Sequence, residues 1–260
     1  LVPPQARTLC PPAGQAGIRR QMEQLKREYE KQDRMRRDFT ANVSHELKTP
    51  LTSISGYAEI IREGMVKSED VGRFAGKIYE EAQRLITLVE DILNLSHLDE
   101  GAPGQERRQG IDLYALCERA VASLAEAARQ RGIAISLTGS RQRVDGAEKL
   151  LAEIIFNLCD NAIKYNQENG HVAVSVTREG DRVVLTVQDT GIGIPPGETD
   201  RVFERFYRVD KSHSRRVGGT GLGLSIVKHG AQYHNAQLSL DSEPGAGTTI
   251  TLRFPKQSAA

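Results

Sequence analysis

Four polar residues recur at helical spacing in the segment "AEIIFNLCDNAIKYN": Glu153, Asn157, Asn161 and Lys164. Steps of four, four and three residues place them on one face of an α-helix. Carboxylate and amide oxygens suit Mg²⁺, and a lysine ammonium is a point charge that suits phosphate. An ordinary solvated helix face is the alternative, although asparagine forms helices poorly and its repetition on one face is an unusual choice.

Two glycine-rich segments follow this helix. In "VVLTVQDTGIGIPP" a β-rich run delivers Asp189 to a loop in which Gly191 and Gly193 permit close approach to a ligand. The carboxylate can accept a hydrogen bond from an exocyclic amine such as that of adenine, and a plain glycine turn is the alternative. In "RRVGGTGLGLSIVKH" the glycines lead into a helix whose N-terminus is a candidate anion site. The Walker and dinucleotide motifs are both excluded, because no G-K-[ST] follows and Leu224 stands at the third glycine position.

The stretch between these segments, "DRVFERFYRVDKSHSRRV", has the composition of a lid over an anionic ligand. Phe203 and Phe206 are its apolar anchors. Its basic residues are Arg208, Lys211, Arg215 and Arg216. A solvated loop is the alternative, and it is the favoured interpretation for each of the last three basic residues taken singly.

A lone histidine, His45, lies in "FTANVSHELKTPLTSISGYAE". Neutral imidazole is a nucleophile near pH 7. Thr49 lies one turn further on the same helix face, whereas Glu46 does not face His45 on an ideal helix. Pro50 lacks an N–H and is expected to bend the helix. Without further evidence, a single helical histidine indicates a bystander more often than a reactive group.

Two long amphipathic helices are predicted around this histidine. An imperfect apolar seam predicts one helix from about Ile18 through His45. After the breaker "REGMVKSED", a second stripe consists of Phe74, Ile78, Leu85, Ile92 and Leu95. A two-helix hairpin buries little by itself, so we expect two copies to form a four-helix bundle.

The rest of the chain has the mixed pattern of an α/β sandwich, so the fold class is α+β. Helices are predicted in "LYALCERAVASLAEAARQRG", "EKLLAEIIFNLCDNAIKY" and "SIVKHGAQYH". The segment "IAISLTG" predicts a strand, and "HVAVSVTREGDRVVLTVQD" and "AQLSLDSEPGAGTTITLRF" predict hairpins. "DEGAPGQERRQG", residues 99–110, is predicted to be a linker.

Composition excludes several classes of function. The net charge of +1 argues against nucleic-acid binding driven by phosphate neutralisation. The three cysteines form no C-x-x-C pair, which suits a reducing compartment. No apolar run is long enough to span a bilayer. We therefore expect a cytoplasmic location, and a membrane-anchored parent protein is compatible with a first residue that is Leu and not Met.

Five segments, in this order, resemble the motifs of the sensor histidine kinases of two-component signalling. "SHELKTPL" resembles the phosphoacceptor box, "NLCDNAIKY" the asparagine box and "DTGIGIP" the first glycine box. "FERFYR" and "GGTGLGLSIVK" resemble the phenylalanine box and the second glycine box. Five ordered motifs spanning roughly residues 18–256 outweigh the non-functional alternative given above for each segment taken singly.

The resemblance implies a role for each candidate residue. His45 would accept the γ-phosphoryl group of ATP, Glu46 would act as general base, and Thr49 is similar to the family's phosphatase residue. Mg²⁺ would be bound by Asn161 with Asn157 nearby. The residues implied to contact the nucleotide or to shape its pocket are Asn157, Asn161, Lys164, Tyr165, Asp189, Gly191, Gly193, Arg208, Gly219, Thr220, Gly221, Leu222 and Gly223.

Two departures from the family pattern are visible. Gly146 is followed by Ala147 where the family often has Asp, so a cap contact of ~1 kcal/mol at most is expected to be lost. Asn235 stands where a glycine is commoner and can still take the left-handed conformation that ends a helix.

The resemblance also implies the domain organisation and the partners. The predicted parts are a disordered lead-in (1–17), a signalling helix (18–37), a dimerisation and histidine phosphotransfer domain (38–98), the linker (99–110), a catalytic ATP-binding domain of the gyrase and Hsp90 type (111–256) and a tail (257–260). The expected partners are a second copy of the chain and a response regulator. Two alternatives stay open: a catalytically silent or phosphatase-only dimeric scaffold, and another ATPase of the same nucleotide-binding fold.

Overall fold

The structure is a computed structural model that describes residues 13–99, 107–209 and 219–256. The chain divides into two compact units, Leu1–Lys48 and Thr49–Ala260, and each is described by itself. The first unit consists of the N-terminal part of helix α1. The second contains the end of α1 and all the other elements.

Two long helices come first in the chain. Helix α1 (Ala13–Arg62) begins earlier and ends later than the predicted span from Ile18 through His45, and Pro50 lies inside it. Residues 1–12 of the predicted lead-in lie outside the described residues. A short 3₁₀ turn (Ser68–Asp70) precedes helix α2 (Val71–Asp99). The turn lies within the breaker segment, so the prediction of two helices joined there is confirmed.

The end of α1 packs on α2 within the second unit. The Tyr57 and Phe74 rings meet edge to face, with centroids 5.7 Å apart and planes at 73°, an arrangement that aromatic pairs favour. The Lys77 ammonium lies 6.0 Å from the centroid of the Tyr57 ring. These contacts hold the two helices together as a hairpin.

A five-stranded sheet with helices on one face makes up the rest of the second unit. Its strands are β2 (Ala134–Gly139), β4 (His171–Glu179), β5 (Arg182–Asp189), β6 (Gln237–Glu243) and β7 (Gly247–Arg253). Their order is β2-β4-β5-β7-β6, with β2 parallel to β4 and the other pairs antiparallel. The packed helices are α3 (Leu113–Gln130), α4 (Glu148–Lys164) and α5 (Gly223–Tyr233).

The alternation of side chains along the strands explains the layering. Val172, Val174 and Val176 point to one face of the sheet and are completely buried in the same core as Leu150 and Ile154 of α4. Side chains two residues apart on a strand share a face. The helix, strand and hairpin predictions for this region are therefore confirmed, together with the α/β sandwich.

A second, two-stranded sheet was not predicted. Strand β1 (Arg107–Asp112) pairs antiparallel with β3 (Arg143–Ala147), and the register shifts between Arg108 and Ile111. Gly110 in the shifted stretch has φ +68° and donates its N–H to the Asp145 carboxylate at 2.9 Å. The end of the predicted linker (99–110) therefore belongs to a strand. Its charged residues and bulge hide the period-two pattern, and residues 100–106 lie outside the description.

The start of α4 is held by a distant histidine. Ala147 precedes α4 without a side-chain cap, as expected. Its N–H instead donates to Nε2 of the buried His234 at 3.1 Å, and His234 Nδ1 donates to the Gly230 carbonyl at 2.7 Å. The neutral ring therefore satisfies one donor of the helix N-terminus. Asn235, which follows this histidine, has φ +52°, so its predicted left-handed conformation is confirmed.

Candidate functional site

A cavity of about 1190 Å³ opens beside the polar face of α4. Most of the predicted nucleotide-site residues line it: Asn157, Asn161, Lys164, Tyr165, Asp189, Gly193, Arg208, Gly219, Thr220, Gly221 and Gly223. Val187 and Ile250 of the sheet, with Leu158 and Ala162 of α4, add apolar surface. The cavity therefore combines an apolar base with a polar rim, as small-molecule sites do.

The two asparagines of α4 face the first turn of α5. Asn157 Nδ2 donates to the Glu153 carbonyl at 3.0 Å, which leaves Oδ1 as the outward acceptor. A Cβ added to Gly223 would lie 2.8 Å from this Oδ1 and 3.5 Å from Nδ2 of Asn161. Glycine at this position therefore lets the N-terminus of α5 approach both amide groups.

Lys164 is paired within the site. Its ammonium lies 2.6 Å from the Asp160 carboxylate one turn earlier, and both side chains are largely buried. From the sequence we considered this lysine only as a charge for phosphate, although the spacing of Asp160 and Lys164 is that of an ion pair on a helix. An anion bound here would share the ammonium with Asp160.

Asp189 is fixed by the loop that follows it. Its Oδ1 accepts the N–H groups of Gly191 at 2.8 Å and Thr248 at 3.2 Å. Burial raises the pKa of this carboxyl, and the two backbone hydrogen bonds partly offset that effect. Because both bonds use Oδ1, the second oxygen is available to a ligand in the cavity. Thr248 was missed from the sequence because it comes from β7, far along the chain.

Two predicted residues lie behind the cavity surface. Gly191 is absent from the cavity lining, and a Cβ there would overlap the Tyr165 carbonyl. Leu222 is also absent from the lining and is completely buried at the start of α5. Both residues therefore support the backbone of the site from behind its lining, and their implied part in the nucleotide pocket stays a prediction.

The phenylalanine segment is joined to the second glycine segment by its backbone. The Phe206 N–H donates to the Gly221 carbonyl at 2.8 Å. Both residues have positive φ, +62° for Phe206 and +76° for Gly221. This connection places Arg208 at the cavity. The predicted lid residues Lys211, Arg215 and Arg216 lie outside the described residues, as does Gly218, the first glycine of the second glycine-rich segment.

Helix α2 supplies cavity residues that the sequence did not reveal: Thr87, Glu90, Asp91 and Asn94. Their spacing of three, one and three residues places them on one helical face. Each is polar, and nothing local distinguishes this stripe from a solvated face. Only the packing of α2 against α5 identifies them as part of the site.

The predicted phosphotransfer residues lie on α1. His45 and Glu46 belong to the first unit, where His45 is exposed and Glu46 is partly buried. Thr49 is the first residue of the second unit and is exposed. An exposed imidazole is accessible to a reacting partner.

The donor set of the cavity fits a magnesium nucleotide. Amide oxygens are suitable Mg²⁺ ligands, and Mg²⁺ usually completes its shell with substrate phosphates and water. Among the described residues, no group of three or more His, Cys, Asp or Glu could hold a metal ion by itself. Asn157 and Asn161 lie beside the N-terminus of α5, and a helix N-terminus is a general site for anions, so the pair suits a metal that arrives with its phosphates.

Comparison with known proteins decides the family. Residues 35–101 match the His Kinase A (phospho-acceptor) domain, and residues 146–258 match the Histidine kinase-, DNA gyrase B-, and HSP90-like ATPase family. The sensor-like histidine kinase SenX3 of Mycolicibacterium smegmatis is 41% identical over 230 residues, which is 88% of this chain and 60% of that protein. The chain belongs to the sensor histidine kinase family. It spans less than two thirds of that relative's length.

Solved structures of histidine kinases show the same fold. Acinetobacter baumannii AdeS matches with a TM-score of 0.68 at 22% identity, over 82% of this chain and 98% of AdeS. Full-length ShkA in complex with AMPPNP matches with a TM-score of 0.63 at 27% identity, over 86% of this chain and 46% of ShkA. None of the described helices has the length and apolar content that crossing a membrane requires.

Proposed function

We propose that the chain is the catalytic part of a histidine kinase. It transfers the γ-phosphoryl group of ATP to His45 and then to an aspartate of a response regulator. The observation that carries the proposal is the cavity of the second unit. It brings Asn157, Asn161 and Lys164 to the glycine-rich start of α5, with Asp189 fixed by its loop.

Asp189 selects the base of the nucleotide. Its Oδ1 is held by two backbone N–H groups, so its second oxygen accepts the exocyclic amine of adenine. Apolar cavity residues such as Ile192 and Ile250 contact the faces of the base, and Tyr165 packs against the nucleotide. Guanine presents a carbonyl at the corresponding position and is disfavoured, since two acceptors would meet.

The phosphates lie between α4 and the start of α5. Backbone N–H groups from Gly219 to Gly223 bind them at the helix N-terminus, and Lys164 and Arg208 supply positive charge. Mg²⁺, held by Asn161 and Asn157, would neutralise charge that develops on the phosphate oxygens. Positioning and charge neutralisation are the main requirements of phosphoryl transfer.

His45 is the acceptor of the phosphoryl group. A ring nitrogen forms a bond to the γ-phosphorus while the bond from that phosphorus to the bridging oxygen of ADP breaks. The proton lost from the other ring nitrogen passes to Glu46 as general base. Thr49 positions water against the phosphorylated regulator, which gives the chain a phosphatase activity as well.

The exposed apolar seam of α2 suits a homodimer. Tyr79, Ile86 and Leu93 repeat every seven residues and are at least half exposed. Heptad spacing is typical of helices that pack side by side. Two hairpins in a four-helix bundle would bury this seam, and sedimentation analysis should show a dimer that Ile86→Glu weakens.

Labelling with γ-labelled ATP and Mg²⁺ tests the proposed activity. A phosphohistidine is stable in base and labile in acid, whereas a phosphoserine shows the reverse. We expect a base-stable label that disappears when the incubation contains EDTA. A silent scaffold would give no label, and a serine kinase of the same nucleotide fold would give an acid-stable one. Either result would contradict the proposal.

A further inference from the structure

Two side-chain hydrogen bonds connect α2 with the walls of the cavity. Asp91 Oδ2 accepts the Thr220 hydroxyl at 2.8 Å. One turn further along α2, Asn94 Nδ2 donates to Glu153 Oε1 of α4 at 2.8 Å. Leu88 and Leu95, on either side of Asp91, are buried. The helical hairpin is therefore docked on the α/β part through polar contacts as well as through packing.

Thr220 stands in the loop that leads into α5. Its hydroxyl oxygen also accepts the Leu222 N–H at 3.3 Å, so it belongs to the turn that begins this helix. This glycine-rich turn is the anion-binding feature of the site. The Asp91 carboxylate thus accepts a hydrogen bond from the same turn at which, in the proposed function, the phosphates bind.

The electrostatics of Asp91 agree with this placement. Burial raises the pKa of Asp91, and the Thr220 hydrogen bond and the charge of Lys164 partly offset that effect. Lys164 is one of the cations proposed to bind phosphate. Burial also raises the pKa of Glu153, and the charge of Asp91 adds to that effect. The carboxyl groups of Asp91 and Glu153, from α2 and α4, therefore both line the cavity that we propose to bind the nucleotide.

We propose that Asp91 is an internal substitute for nucleotide phosphate, so that docking of α2 and binding of ATP compete. This inference rests on the proposed function, because it takes the cavity to be the ATP site. In the docked state Asp91 holds the Thr220 hydroxyl and lines the cavity. Nucleotide phosphates displace the carboxylate, and the α/β part is then released from α2. The contact is autoinhibitory until nucleotide binds.

The affinity of the chain for a fluorescent ATP analogue in the presence of Mg²⁺ tests this competition. Asp91→Ala removes both the charge and the hydrogen bond, so we expect binding about tenfold tighter than wild type. Asp91→Asn keeps an acceptor and removes only the charge, so its gain should be smaller. Asn94→Ala changes no charge and breaks the other contact, and it should also tighten binding. Glu80→Ala removes an exposed carboxylate of α2 outside the cavity and is the matched control.

The outcomes separate this proposal from the proposed function. Tighter binding by the Asp91 and Asn94 variants, with Glu80→Ala close to wild type, supports the competition. If wild type binds nucleotide and Asp91→Ala binds equally or more weakly, the competition is refuted while the ATP site stands. If neither protein binds nucleotide although both unfold cooperatively at similar temperatures, both proposals are refuted.

Discussion

The Asp189 carboxylate is held by Gly191, whose backbone N–H donates to Oδ1 at 2.8 Å. The loop that follows the strand therefore fixes the group that we propose recognises adenine. Replacing Asp189 by Asn keeps the size of the side chain and its acceptor for Gly191. The substitution replaces the other oxygen by an amide NH₂ group. This donor would face the amine of adenine. This relationship leads to two predictions.

Asp189→Asn should weaken ATP binding roughly a hundredfold, because two donors would meet in a partly buried site. The same change should improve binding of GTP relative to ATP, since the guanine carbonyl can accept from the new amide. Titration calorimetry with both nucleotides measures the ratio. Unchanged discrimination between ATP and GTP would remove Asp189 from base recognition.

The stability of the same variant should depend on pH in a defined direction. Burial raises the pKa of Asp189 above its ordinary value of 3.8. As pH rises from that value through the raised pKa, the unfolded chain loses a proton that the native state retains, so wild-type stability falls. The amide of the Asp189→Asn variant has no such proton, and the free energy of unfolding should shift in favour of the variant across this window. Urea unfolding of both proteins from about pH 3.5 to about pH 7 measures the difference in their free energies of unfolding. A difference that does not change with pH would argue against a raised pKa of Asp189.

Gly223→Ala should weaken Mg²⁺-dependent nucleotide binding about tenfold or more. The added methyl group would lie 2.8 Å from Asn157 Oδ1, and the carboxamide would have to turn away from its position. Gly72→Ala is the matched control, because a Cβ there meets nothing within 4 Å on α2. The control should keep its affinity and gain roughly 0.5–1 kcal/mol in stability. If both variants changed nucleotide binding equally, the close approach of Gly223 to Asn157 would not matter for binding.

Gly146→Ala should destabilise the fold by roughly 1–3 kcal/mol, because its Cβ would overlap the buried His234 ring. Chemical denaturation measures this cost. The control is the same change in a His234→Ala background, where the space is open and the added cost should largely disappear. Additive effects of the two substitutions would contradict a direct contact between these residues.

The local parts of this architecture follow from the sequence, and the non-local parts do not. Asn157, Asn161 and Lys164 share a helix face because of the helical period. This face could therefore be predicted without a structure. The hydrogen bond from Ala147 to His234 joins residues 87 positions apart, and no pattern signals it. Sequence reasoning could therefore predict the missing cap but not the group that replaces it.

The same distinction applies to the candidate site. Asp189 ends a recognisable strand, whereas Thr248, its second backbone donor, reaches it only because β7 pairs with β5. Asp91 and Asn94 look like part of a solvated face until α2 packs against α5. The charge network around the cavity depends on which helices meet, and helix packing is not encoded in any single segment.

The central claim is that His45 receives the phosphoryl group of ATP. Incubation of wild type, His45→Gln and His171→Gln with γ-labelled ATP and Mg²⁺ tests it most directly. His171 is an exposed histidine at the start of β4, where its ring contacts Ser136, and it serves as the matched control. We expect a base-stable label on wild type and His171→Gln and none on His45→Gln, although all three proteins bind nucleotide. Equal labelling of His45→Gln would contradict it.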